Sequence, residues 1–122
     1  MNASDKLVPL TSRGGLELWH RTLVSSVRSN LPDLSVRQMA ILLTVYLTPP
    51  PHTVRGLASA LGISKAAVTR GLNRLAALDF VRRKVDDDDR RSINVQRTVR
   101  GSVFLHDYGE MIAAHGDGRA VP

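Results

Sequence analysis

Three observations predict a mainly α chain with one small β-hairpin. Apolar residues recur at helical spacing in five separate windows of the 122 residues. Two of those windows, around Leu57 and Leu72, meet at Gly62 with an N-capping serine just after it. Two alternating stretches, Phe80–Val85 and Ser92–Gln96, flank a charged tip at Asp86–Arg91. Short helix, glycine turn, capped second helix and basic hairpin, in this order, describe a winged helix-turn-helix with flanking N- and C-terminal helices.

The elements follow in order. Met1–Arg13 has no clear period and is expected to be a frayed arm. From Gly15, the residues Leu16, Trp19, Leu23 and Val27 fall on one helical face, and Asn30-Leu31-Pro32 ends that helix because Pro32 disfavours helix in the residue before it. Ser35 with Gln38 three residues on forms a capping box for a helix to about Leu47, apolar enough to be buried on most sides. Pro49-Pro50-Pro51 stops that helix as a stiff, extended link. His52-Thr53-Val54 reads as a short strand or a cap. Val54–Leu61 is a short helix, ended at Gly62 by a left-handed residue. Ser64 caps Lys65–Leu78, whose apolar stripe is Val68, Leu72 and Leu75. Thr98 caps a last helix carrying Val103, Phe104, Tyr108, Met111 and Ile112, which Gly116-Asp117-Gly118 ends before a tail at Arg119–Pro122. The whole is one domain over residues 1–122, with 14–30 and 99–115 as flanking helices and 53–97 as helix-turn-helix plus wing.

Composition narrows the function. Hydrophobic content of 43% is that of a globular chain, and aromatics at 4% leave the core to Leu, Val, Ile and Ala. No cysteine is present, which excludes disulfides, thiolate zinc sites and thiol redox chemistry. The longest apolar stretch, Met39–Leu47, is too short to span a bilayer, and the start has no secretory core, so a cytoplasmic, nucleoid-associated protein is expected. His106 and His115 lack the i, i+4 spacing of a helical metal pair, and no nucleophile motif or Gly-rich phosphate loop occurs. The chain is read as no enzyme, with no cofactor and no metal. The net charge of +6 resides wholly between Thr53 and Arg100, and the remainder is balanced. A basic segment on a neutral scaffold is the footprint of a polyanion binder.

Lys65–Leu78 divides as a groove-reading helix must. Val68, Leu72 and Leu75 take the core, while Lys65, Ala66, Thr69, Arg70 and Asn73 project opposite, with Arg74 beside them. Ala66 permits close approach to a thymine methyl, Arg70 suits guanine, and Asn73 suits adenine or a phosphate. Ser64 and Lys65 lie at the helix start, where free N–H groups favour phosphate. Lys84, Arg90 and Arg91 complete the candidate DNA contacts from the wing. The acid run Asp86–Asp89 is expected to fold back onto arginines, Asp89 to Arg91 and Asp86 to Arg90 or Arg91. Four consecutive aspartates in an extended strand cannot all face one ion, so the run is not read as a metal site.

These residues carry a specific resemblance. Leu57–Leu75 (LASALGISKAAVTRGLNRL), Asp79–Ser92 (DFVRRKVDDDDRRS) and Thr98–Gly101 (TVRG) resemble the MarR family of bacterial winged-helix regulators, with Asp86, Asp89, Arg90 and Arg91 similar to its wing signature. The resemblance implies that Ser64–Asn73 reads the major groove. It implies that Arg90 or Arg91 enters the minor groove, its guanidinium held by Asp86 or Asp89. It also implies a homodimer on a pseudo-palindromic double-stranded DNA operator, often as a repressor released by small phenolic or other anionic ligands. The chain departs from the family after Gly101, where the few residues before Gly116 are expected to leave out a long final helix. A dimer is then expected to rest on Leu16, Trp19, Leu23, Val27, Phe104, Tyr108 and Met111, and ligand sensing is not carried over. Trp19 and Tyr46 read as core anchors or as the lining of a small pocket. The alternative function is a winged-helix interaction module that pairs with another regulator or a polymerase subunit.

Overall fold

The computed structural model describes residues 10–116. Among these residues, five helices and three strands follow in the order α1 Ser12–Arg28, α2 Val36–Leu47, β1 His52–Thr53, α3 Val54–Leu61, α4 Lys65–Ala77, β2 Val81–Val85, β3 Ile93–Arg97 and α5 Val99–Gly116. The chain forms two compact units. One comprises the described residues up to Pro32 with those from Asp107 to Gly116, and the other is Asp33–His106.

Asp33–His106 is the winged helix. The Ser35–Gln38 capping box forms as expected: Gln38 N–H donates to Ser35 Oγ at 3.1 Å and Ser35 N–H to Gln38 Oε1 at 2.9 Å. Thr53 and Ser64 cap α3 and α4 through N–H···Oγ bonds of 2.9 Å from Gly56 and 3.0 Å from Ala67. His52-Thr53 is both strand and cap. It adds β1 to the hairpin and makes a three-stranded antiparallel sheet of order β1-β3-β2. The core is aliphatic: Ile41, Leu42, Val45, Val68, Leu72 and Leu75 are all fully buried. The second helix is less enclosed than its composition suggested, because Val36 and Leu47 at its ends are exposed.

Left-handed residues end three of the helices. Gly62 does so for α3 at φ 65°, as its sequence position announced, but Asn30 and Asp79 do the same for α1 and α4 at φ 56° and 59°. At Asp79 the bonds are those of a Schellman turn: Phe80 N–H donates to Leu75 C=O and Asp79 N–H to Ala76 C=O, both at 2.9 Å.

Two hydroxyls lock the base of the wing to the helices. Tyr46 Oη accepts from Thr98 N–H at 2.8 Å and lies 2.8 Å from Phe80 C=O and 3.0 Å from Thr98 C=O. Thr98 Oγ1 donates to Asp79 C=O at 2.7 Å and accepts the N–H of Gly101 at 2.9 Å, which caps α5. A Cβ at residue 101 would collide with the Tyr46 hydroxyl and the Phe80 carbonyl, so only glycine fits there. Arg97 closes the other side. Its Nε donates to Val45 C=O at 2.8 Å and its Nη2 to Thr48 C=O at 2.9 Å, placing a cation at the C-terminal end of α2.

The other unit holds α1 and the end of α5. α1 begins at Ser12, inside the stretch expected to be a frayed arm, because Thr11 Oγ1 accepts the N–H of Gly14 at 2.9 Å. Residues 1–9 of that expected arm, the Asp117-Gly118 stop and the Arg119–Pro122 tail lie outside the described residues. Ser25 Oγ meets His115 Nε2 at 2.8 Å and joins the two helices of this unit. Trp19 is 52% exposed on α1 and does not anchor a core.

Candidate nucleic-acid interface

α4 is held by one face and free on the other. Ala67, Val68, Gly71, Leu72 and Leu75 are buried, and Lys65, Ala66, Thr69, Arg70, Asn73 and Arg74 are exposed. Spacing by three and four residues aligns the exposed set along one side, and no carboxylate occurs in the helix. The Ser64 hydroxyl oxygen is engaged as the cap, which leaves its proton as a donor at the helix start.

The wing tip is shaped by its acids, through bonds that differ in part from those expected. Asp86 does not pair with Arg90 or Arg91. Its Oδ1 accepts the backbone N–H of Asp88 at 2.8 Å and of Asp89 at 3.4 Å, and its Oδ2 accepts from Asn94 Nδ2 at 3.5 Å. Backbone amides two and three residues on lie closer to a turn aspartate than any long guanidinium, so the local bond forms first. These bonds hold the Asp86 carboxyl below the usual carboxylate range, the Asp88 N–H contributing most. Asp89 does meet Arg91: its Oδ1 accepts from Arg91 Nε at 3.3 Å and from Arg91 N–H at 3.1 Å. Asp86 N–H to Ser92 C=O at 2.9 Å and Ser92 N–H to Asp89 C=O at 2.8 Å close the hairpin. Arg90 is exposed at the tip, and Lys84 Nζ lies 3.9 Å from Asp87 Oδ2.

A recess of about 310 Å³ opens between the starts of α3 and α4 and the tip of the wing. Lys65, Thr69, Asp89 and Arg91 line it together with Arg55. Arg55 was not among the residues singled out in the sequence. Its only signal was a basic side chain in the first turn of the first helix of the pair. Arg70, Asn73 and Arg74 lie farther along α4, outside the recess. A second contact went unseen in the sequence: Arg83 on β2 donates from Nη1 to Asn73 Oδ1 at 2.7 Å. It links two elements whose relative placement no local pattern specifies.

The expected dimer residues fall into two groups. Leu16, Trp19, Leu23 and Val27 form an exposed apolar stripe on α1, with Val27 80% exposed. Phe104, Tyr108 and Met111 are already buried within the single chain, so the exposed apolar side chains of α5 are Val99, Val103 and Ile112 instead. Among the described residues no group of three or more His, Asp or Glu side chains could hold a metal ion, and no helix is long and apolar enough to cross a membrane.

Comparison with known proteins agrees with this geometry. A model of the MarR family matches residues 33–92. The HTH-type transcriptional regulator PecS of Dickeya dadantii (strain 3937) is 32% identical over 75 residues, which cover 60% of this chain and 45% of PecS. The chain thus spans less than half the length of this curated relative. Among solved structures, the Staphylococcus aureus MepR–DNA complex superposes with a TM-score of 0.71 at 19% identity, over 84% of this chain and 82% of MepR. The repressor CouR of Rhodococcus jostii RHA1, bound to a 23-mer DNA duplex, superposes with a TM-score of 0.69 at 22% identity, over 87% of this chain and 72% of CouR. At these identities the likeness is one of fold.

Proposed function

We propose that this chain, a MarR-family winged-helix protein, is a sequence-specific regulator of transcription that binds double-stranded DNA as a homodimer. The observation that carries the reading is the acid-free outer face of α4, set beside a wing in which Asp86 and Asp89 are engaged by backbone amides and Arg91. α4 enters the major groove with Lys65, Ala66, Thr69, Arg70 and Asn73 toward the base edges. Ser64, Lys65, Arg55 and Arg74 meet phosphates. Arg90 and Arg91 reach for the minor groove, where a narrow A·T-rich stretch concentrates negative potential. Asp86 fixes the turn and Asp89 orients Arg91, so these two acids shape the tip. The structures of MepR and CouR bound to DNA support the same use of this fold.

The exposed α1 stripe of Leu16, Trp19, Leu23 and Val27 supports a two-fold dimer, which would read a pseudo-palindromic operator with half-sites about one helical turn apart. The protein acts in the cytoplasm on the nucleoid and catalyses no reaction.

Selection from a random duplex pool, with solution mass measured on the same sample, tests this reading. The expected result is a dimer mass and a palindromic motif, with affinity falling linearly in log salt at about 0.9 per phosphate neutralised. Arg70→Ala should relax base preference at one position of each half-site. Arg90→Ala with Arg91→Ala should weaken all sites and lower the salt slope. Flat affinity across sequences would refute the proposal and favour a protein-interaction module.

A further inference from the structure

The hydrogen bond between the wing and the outer face of α4 bears on which base the helix reads. Arg83 Nη1 donates to Asn73 Oδ1 at 2.7 Å. A guanidinium has donors only, so the carboxamide atom that faces it must be the oxygen. Oxygen and nitrogen diverge from one carbon, so turning Oδ1 toward β2 leaves Nδ2, with its two hydrogens, to face outward.

Bidentate reading of adenine requires both carboxamide atoms on the base edge, the oxygen accepting from N6 and the nitrogen donating to N7. The Arg83 bond uses one of that oxygen's two lone pairs and turns it toward β2, away from the base edge that Nδ2 faces. A single donor still reaches the N7 of either purine, and the neighbouring group then decides between them. Adenine N6 is itself a donor, and it would face Nδ2 and the guanidinium of Arg70, one helical turn away on the same side. Guanine O6 is an acceptor and is satisfied by either. No carboxylate in α4 can compensate for an unpaired adenine amino group.

We infer that Arg83 is a positioning residue that makes Asn73 a donor to DNA, so that the operator carries guanine rather than adenine opposite Asn73. The inference rests on the proposed DNA-binding function. It reverses the pairing of Asn73 with adenine that the side chain alone suggests.

The test uses the full chain and selection from a random duplex pool. Wild type should enrich guanine over adenine about tenfold at one position per half-site, the discrimination expected of a good base-edge contact. Asn73→Ala should erase that preference and leave the other positions intact. Arg83→Met should collapse it or swing it toward adenine, and Arg83→Lys, which keeps a donor, should retain it. With Asn73→Ala in place, Arg83→Met should change nothing at that position. If Arg83→Met weakens every sequence equally and the guanine preference persists, the inference is wrong. A wild-type pool with no enriched sequence overturns the DNA-binding reading itself. The contact can also be read without DNA, since the Asn73 side-chain amide resonances should shift in Arg83→Met. Unmoved resonances overturn the positioning role, whatever the DNA results.

Discussion

Replacing Tyr46 by Phe removes one oxygen and should cost about as much as truncating a core side chain in this small domain. The hydroxyl accepts from Thr98 N–H at 2.8 Å and shares its single proton between Phe80 C=O at 2.8 Å and Thr98 C=O at 3.0 Å. Phe80 and Thr98 are both buried, at 4% and 9% exposure. In the variant, the Thr98 N–H and at least one carbonyl lose their partner. A buried group left unsatisfied costs about 1–3 kcal/mol. The amide and one carbonyl together give a loss of about 3 kcal/mol, with carbonyls the more tolerant of the two. With a urea m-value of about 2 kcal/mol/M, the midpoint should fall by about 1.5 M. The melting temperature should fall by about 10 °C. Amide exchange gives a second readout: the Thr98 N–H should lose most of its protection, because its acceptor is gone. Gly101→Ala drives a methyl group into the same hydroxyl and should be at least as destabilising. A loss in Tyr46→Phe under about 0.5 kcal/mol, with Thr98 still protected, would refute the argument, because the hub would then not hold the base of the wing.

Three further outcomes are expected. Asp79→Gly should stabilise the protein by about 1 kcal/mol in chemical denaturation, since Asp79 carries a Cβ in a left-handed conformation that glycine adopts without strain. The Asp86 carboxyl is held below its usual range in the folded wing, so its contribution is present above the unfolded value and disappears as pH falls through the depressed folded one. Wing-tip amides of Asp88 and Asp89 should therefore lose protection only in acid, below the ordinary carboxylate range, and Asp86→Asn should flatten that dependence when followed by NMR. Trp19→Glu places a charge in the exposed α1 stripe and should shift solution mass from dimer toward monomer, with melting of the isolated chain little changed because the side chain is half exposed.

Local chemistry was legible in the sequence wherever a residue acts on its own backbone neighbours. Ser35 with Gln38, Thr53, Ser64 and Thr98 all cap the helices their positions announced, and Gly62 ends α3. Helical period also sorted α4 correctly into a buried face and an exposed one. The same period misjudged α1 at Trp19, because periodicity says which side chains share a face and not what covers that face. For α5 it named Phe104, Tyr108 and Met111 as an interface, although the chain buries them itself. At the wing tip Asp89 meets Arg91 as expected, but for Asp86 charge suggested an arginine and proximity favoured the backbone.

By itself, then, the sequence determined the element order, the helix ends and the acid-free face of α4, since each depends on residues within one or two turns of one another. Tertiary structure decided that Tyr46 and Thr98 tie the wing to the helices, that Arg83 turns the oxygen of Asn73 toward β2, and that the Asp89–Arg91 pair expected from the sequence lies at a recess shared with Lys65. The Tyr46 bonds join elements far apart in the sequence, the Arg83 bond depends on how β2 folds back along α4, and the recess depends on where the hairpin tip falls beside the start of α4. Such contacts are set by how helices and strands pack, not by the local spacing that a chain displays.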